Sequence, residues 1–359
     1  MNQELPDRKL FGEDFIWGVS TSALQTEGSA SADGKGKSIW DEFAGRKYTI
    51  KSKHTPENAT EFYKLYKKDI QLLRKMNIKN FRFSISWPRL FPDGFNFNSK
   101  GADFYDRLID ELLENEITPW ATLYHWDLPL DLEKKGGWTN RNIIYWFEKY
   151  TYACLKKYGD RIQHWMIMNE PVAFTGAGYF LGIHAPGRRG LNNFLPAIHH
   201  TVMTICNSNQ IIKELYPKSE RGTTFSTSLI TPFSERKSDQ SAAKRVDVML
   251  NRMFPEAICG MGYPMDDLPV LRRIEKHIMP GDLSLMNADF DFFGLQNYTR
   301  EVVAHSWFTP YLKAKMIPAN KRNVPTTKMN WEIYPEGIFE VLKKRSEERR
   351  VGKECTIQC

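Results

Sequence analysis

HWMIMNEP, residues 164–171, is the stretch on which the fold turns. A short apolar run closes on two polar side chains, Asn169 and Glu170, and then meets a proline. The run reads as a β-strand. Helical periodicity flanks it on both sides, over about 140–158 and about 195–216. The same alternation extends outward along the chain. Strands read at 15–23, 80–86, 118–125, 223–229 and 291–299, and helices at about 58–76, 100–116 and 240–258. A last helix starts at Tyr334-Pro335-Glu336-Gly337. On the helix over 58–76, Phe62, Leu65, Tyr66, Ile70, Leu73 and Met76 fall near one face. On the next, Phe104, Leu108, Ile109, Leu112 and Leu113 do the same.

Strands separated by helices of this length predict right-handed βαβ units and a parallel sheet. About six such units without a glycine-rich dinucleotide fingerprint favour an α/β fold of the TIM (β/α)8 barrel type, incomplete at six of eight units. Periodicity alone leaves a doubly wound sheet as the alternative. Long connections at 24–57, 171–194 and 300–333 each follow a strand. In a barrel these lie on the C-terminal face, where active sites sit.

Composition narrows the function. The 359 residues are 41% hydrophobic and 26% charged, which excludes a disordered chain. Five cysteines are too few, and odd in number, for a disulfide scaffold. No window holds the run of about eighteen apolar residues needed to span a membrane. The opening MNQELPDRKLFGEDF carries acids and no apolar core, so it is no signal peptide, and a cytoplasmic protein is expected. The formal charge of +7 is small for this length and its signs are interspersed, against a nucleic-acid partner.

Several catalytic signals fail. Gly36-Lys37-Ser38 ends like a phosphate-binding loop, but Ser31 stands where that loop needs glycine. There is no GxSxG and no HExxH. His199 and His200 are neighbours in a helix, so they point to different sides, and read as packing histidines. Cys154, Cys206 and Cys259 read as small buried hydrophobes. No metal and no cofactor are expected.

What remains are polar groups at strand ends: Gln25 and Glu27; His125, Trp126 and Asp127; Asn169 and Glu170; and Tyr298. Such groups cost stability unless hydrogen-bonded, and four strands presenting them at one barrel end predict a site. Trp120, Trp126, Trp138, Trp165 and Trp331 add flat apolar faces of the kind that stack on pyranose rings, though each taken singly reads as core. A glutamate at an apolar strand end can have a raised pKa and act as a general acid. Together these residue types point to sugar chemistry.

The sequence resembles the β-glucosidases of glycoside hydrolase family 1. The matching stretches run in order: FIWGVSTSALQTEG (15–28), DGKGKSIWDEF (33–43), FRFSISWPRLFPDG (81–94), TLYHWDLP (122–129), GGW (136–138), MNEP (168–171), APG (185–187), DFFGLQNYT (291–299) and WEIYPEG (331–337). They cover about 12–345. The resemblance implies a TIM barrel that hydrolyses β-glycosides with retention through two carboxyl groups. It implies Glu170 as the acid/base, and Gln25, His125, Trp126 and Asn169 on the sugar, with Asn169 at the 2-OH. Arg82 and Tyr298 would orient the nucleophile, and Trp331 would line the aglycone side. The implied partner is a β-glycoside.

Two departures stand out. Where the family commonly reads Asn-Tyr-Tyr, this chain has Gln296-Asn297-Tyr298. The family's nucleophile lies in a Thr-Glu-Asn-Gly motif ending strand seven, and no such motif occurs here. RSEERRVGKECTIQC, beginning at 345, is polar, without a strand pattern and unlike the family. The expectation is therefore a partial family barrel over 1–345, an unrelated tail over 346–359, open edges on strands one and six, and no activity from this chain alone. A 6-phospho-β-glycosidase is the nearby alternative, set back by the retained YHWDLP. A non-catalytic sugar-binding protein is the other, set back by the retained Glu170.

Overall fold

The computed structural model describes residues 7–349 and 356–358. One sheet is built from β1 (Gly18–Ser20), β2 (Asn80–Ser84), β3 (Thr118–Tyr124), β4 (His164–Asn169), β5 (Glu220–Pro232), β6 (Phe292–His305), β7 (Ala314–Met316) and β8 (Thr356–Gln358). β1 to β6 are parallel, each beside the strand before it in sequence. The intervening helices are α1 (Phe62–Lys75), α2 (Ser99–Glu114), α3 (Ile143–Tyr158), α4 (Leu191–Leu215) and α5 (Lys237–Asp247), and α6 (Glu336–Arg349) follows β7. This succession is the wall of a TIM-type barrel, curled but open. Among the described residues β1 pairs with β2 alone.

The helices follow their apolar faces. α2 buries Phe104, Tyr105, Leu108, Ile109 and Leu112. Leu113, expected on that face, is exposed, because one further residue turns the side chain about 100° away. α1 buries Phe62, Tyr66 and Ile70, while Met76, expected to extend the stripe, lies past the helix end in solvent. Trp87 stacks on Tyr150 of α3 at 5.0 Å between ring centres. The Tyr150 hydroxyl lies 2.7 Å from the Ile85 carbonyl oxygen and 2.8 Å from that of Leu123, so the helix grips two neighbouring strand segments at once.

The edge of β6 is not left open as expected. β7 folds back on Val303–His305 as an antiparallel partner, inside the connection read as a 300–333 loop. Thr356–Gln358, within the tail expected to lack strand character, runs parallel to Phe292–Gly294. An exposed strand edge offers a row of unpaired N–H and C=O groups that an extended segment can take up. The rest of the 346–359 tail beyond Arg349, residues 350–355 and 359, lies outside the described residues. No described helix is long and apolar enough to cross a membrane.

Candidate active site

The site is set where β4 ends. Asn169 is the last strand residue, and the chain then turns left-handed at Glu170, φ 47° and ψ 66°. Pro171 starts the short helix Pro171–Thr175, at a position whose N–H would find no helical partner. The Glu170 N–H is instead taken by the Thr224 carbonyl oxygen on β5, 2.9 Å away. Trp126 at the end of β3 is also left-handed, φ 78°. Its indole N–H donates to the Asn169 carbonyl oxygen at 2.8 Å. Two non-glycine residues in this conformation, at adjacent strand ends, cost on the order of 1–3 kcal/mol each. The turns fix where Glu170 is held.

Side chains from several strands converge there. Arg82 on β2 donates from Nη2 to Asn169 Oδ1 at 2.7 Å, and from Nε to Thr122 Oγ1 on β3 at 2.8 Å. The Thr224 hydroxyl lies 3.1 Å from the same Asn169 oxygen. Asn169 Nδ2 donates to Glu170 Oε2 at 3.2 Å. From β6, the Gln296 amide lies between Asn169, Glu170, Arg82 and the Tyr298 hydroxyl. A cavity of about 270 Å³ adjoins the cluster, lined in part by Arg82, Trp120, Thr224, Phe292 and Gln296.

The electrostatics suit proton transfer. Burial pushes the Glu170 carboxyl above the usual carboxylate range, against the pull of Arg82 and of hydrogen bonds from Ser226 and Asn169. Burial draws Arg82 down to about 10, with Glu170 and Tyr298 opposing, so it is still a cation at neutral pH. Burial, reinforced by Arg82, holds His125 well below its ordinary value, so its ring is neutral. His125 Nδ1 is sheltered without a hydrogen-bond partner among the described residues. Burial, then the Glu170 charge, raises the Tyr298 hydroxyl.

Of the residues singled out in the sequence, Arg82, Asn169, Glu170 and Tyr298 come together, with Trp126 and His125 at their side. Trp331, partly exposed, sets its ring 5.3 Å from that of Tyr298. Gln25 stands apart. It is exposed on the short helix Ala23–Thr26, and its amide oxygen accepts from Ser22 Oγ at 2.9 Å. Glu27 and Asp127, grouped by sequence with the strand-end polar residues, turn into the protein wall. Glu27 accepts from Arg89 Nε at 3.0 Å and from the Tyr105 hydroxyl at 2.5 Å. Asp127 is 2% exposed and lines a small cavity with Glu27 and Lys35. Trp138 and Trp165 are entirely buried core and Trp120 nearly so.

Sequence reading missed the hydroxyls at Thr122, Thr224 and Ser226. Their signal was present: Thr224 and Ser226, two residues apart in β5, share one face of the strand. His199 and His200 are packing residues, bonded to Tyr263 Oη and Asp282, and to the Trp138 carbonyl oxygen, respectively.

The comparisons agree with this geometry. A family model described as Glycosyl hydrolase family 1 matches residues 7–357, beyond the 12–345 marked by the motifs. The chain is 38% identical to the 1,4-beta-D-glucan glucohydrolase of Thermotoga neapolitana over 95% of its length and 80% of the relative's. It is 38% identical to beta-glucosidase A of Thermotoga maritima, over 95% of this chain and 76% of that one. The structure of the Thermotoga maritima beta-glucosidase in complex with deoxynojirimycin superposes with a TM-score of 0.90 at 37% identity, covering 94% of this chain and 76% of the other. With Glu170 just past the end of β4 and its partners on the neighbouring strands of a parallel α/β barrel wall, the chain belongs to glycosyl hydrolase family 1.

Proposed function

We propose that this chain carries the sugar-binding and acid/base half of a retaining β-glucosidase, with Glu170 as the acid/base. The observation that supports it most is the Glu170 carboxyl itself, buried at a strand end, raised by desolvation, and steadied by Asn169 and Arg82. In the first step of retention such an acid gives its proton to the leaving oxygen, and in the second, as carboxylate, it draws a proton from water. Asn169, held by Arg82 and Thr224, would meet the sugar 2-OH. His125, neutral, offers a donor and an acceptor to other ring hydroxyls, Trp126 and Gln25 border the same sugar, and Trp331 beside Tyr298 offers a face to the aglycone. The β-glucoside preference draws on the relatives named above.

Retention also needs a second carboxyl group about 5–5.5 Å from the first. Among the described residues the charged group acting on Glu170 is Arg82, and its hydrogen-bond partners include no carboxylate. The 359 residues contain no Thr-Glu-Asn-Gly sequence. We infer that this chain alone does not turn over aryl β-glucosides. Nitrophenyl β-glucoside hydrolysis by the 359 residues tests that inference. A chimera that takes its C-terminal strands, with their nucleophile, from Thermotoga maritima beta-glucosidase A tests the activity. It is expected to hydrolyse nitrophenyl β-glucoside in preference to the 6-phosphorylated analogue. The reverse preference would move the reading to 6-phospho-β-glycosides, and an inert chimera that folds would overturn it.

A further inference from the structure

Between Ala319 and Gly337 the chain buries a single residue, and that residue is a glutamate. Glu332 is 3% exposed, while Trp331 and Ile333 on either side of it face outward. The usual polarity of an extended segment is inverted here, with the apolar side chains outside and the charge inside. Burying a charge costs stability unless it is paired and hydrogen-bonded, so apolar packing does not account for the arrangement.

Glu332 is held from three sides. Arg300 on β6 meets it as a fork, Nε donating to Oε2 at 3.0 Å and Nη2 to Oε1 at 2.6 Å. Arg322, whose Nε donates to the Ile317 carbonyl oxygen just past β7, brings Nη2 to 2.8 Å from Oε2. The Thr299 hydroxyl donates to the Glu332 carbonyl oxygen at 3.2 Å. Burial pushes the carboxyl up, but the hydrogen bonds from Arg300 and Arg322 outweigh it and hold the group below the usual carboxylate range, so it is an anion at neutral pH. Trp331 is carried on this anchor. Its carbonyl oxygen accepts from the Thr327 N–H, and the Ile333 N–H donates to the Pro325 carbonyl oxygen, each at 2.9 Å, so 325–333 folds back as a narrow loop. Arg300 lies two residues beyond Tyr298, and Trp331 one residue before Glu332. The Arg300–Glu332 fork and the 5.3 Å contact of the Trp331 and Tyr298 rings therefore join the same two chain segments at neighbouring points.

We propose that Glu332 is a positioning residue for the aglycone side, its fork with Arg300 holding the 325–333 loop against β6 so that the Trp331 ring stands beside Tyr298. The inference rests on the reading of Trp331 as the face offered to the aglycone. Glu332 needs no contact with the sugar, since it acts through the ring next to it. With the ring held in place, an aryl aglycone meets a ready surface. With the loop released, the ring must be ordered at the moment of binding, and an aryl group loses its advantage over a methyl group.

The test uses Glu332→Gln in the full 359-residue chain, which keeps the shape of the side chain and removes its charge. The nuclear Overhauser contact between the Trp331 and Tyr298 rings should be lost. Affinity for an aryl β-glucoside relative to methyl β-glucoside, by calorimetry, should fall about three- to tenfold, the loss expected of Trp331→Ala. In a Trp331→Ala background Glu332→Gln should change that ratio no further, because no ring is left to position. A merely structural role would weaken both glucosides together. Near-ultraviolet circular dichroism checks that each variant is folded, and if Glu332→Gln is not, Arg300→Lys, which keeps the charge and gives up the fork, carries the same test. A retained ring contact or an unchanged ratio in a folded variant overturns the proposal, as does a further fall in the double variant. Trp331→Ala that binds the aryl glucoside as well as the parent does would instead overturn the aglycone reading, and the ring contact, read without sugar, still decides the part assigned to Glu332.

Discussion

Arg82 on β2 and Asn169 on β4 are joined by a 2.7 Å hydrogen bond that passes over β3, the strand between them. Arg82 therefore acts on Glu170 in two ways, as a nearby cation and as an anchor for the amide that donates to it. Arg82→Met removes both. An opposite charge within a few ångströms favours ionisation by about 1–3 pH units. The Glu170 midpoint, read from its carboxyl carbon by NMR, should rise by about one unit or more in Arg82→Met.

The Glu27–Arg89 pair is a stability element and not part of the site. Arg89 is fully buried and Glu27 nearly so. Taking away one partner of such a pair strands the other charge, at a cost of about 3–5 kcal/mol. Glu27→Ala should lower unfolding stability by that order in urea, while leaving the Glu170 midpoint in place.

Asp127 should make stability fall as pH rises. Burial is the main cause that pushes its carboxyl up from 3.8 to about 7, with the Ser86 hydroxyl and Lys35 pulling the other way. Neither of its oxygens has a hydrogen bond of normal geometry among the described residues. Between these two values the folded chain holds a proton that the unfolded chain has lost, so stability declines from about pH 4 to about pH 7 and then levels. Asp127→Asn removes this loss. Its advantage over the parent should grow across that window to on the order of 4 kcal/mol, in urea unfolding followed at several pH values.

Trp331 presents its ring beside Tyr298 at the edge of the site. Aromatic pairs of this kind contribute about 0.5–1.5 kcal/mol. Trp331→Ala should weaken binding of an aryl β-glucoside about three- to tenfold by calorimetry and leave a methyl β-glucoside little changed.

Much of this could be read from sequence because strands and helices announce themselves by period. The six parallel strands and the helices between them follow from it, as does the placing of Asn169 and Glu170 at a strand end; Arg82 is marked for the site by the family resemblance alone. Directions after a turn do not. Gln25 and Glu27 sit two residues apart just past β1, yet one is exposed at the surface and the other is buried against Arg89. Asp127 follows Trp126, yet is buried where it lines a small cavity with Glu27 and Lys35. The pattern of apolar residues fixes which strand a polar group closes, and the backbone beyond the strand decides what that group meets. Tryptophans were ambiguous for a related reason: Trp138 and Trp331 are the same residue type, and only burial separates core from platform. The Thr356–Gln358 strand was missed because three residues are too few to carry a period, and it is the free edge of β6 that makes them extended.

The central claim, that Glu170 is the proton donor to the leaving group, is tested most directly by Glu170→Gln in the chimera that supplies the second carboxylate. Hydrolysis of an alkyl β-glucoside, whose leaving group needs the proton, should fall by about 10²–10⁴. Formation of the glycosyl-enzyme from dinitrophenyl β-glucoside, whose leaving group does not, should change little. Equal losses on both substrates, or no loss on the alkyl glucoside, would contradict the account.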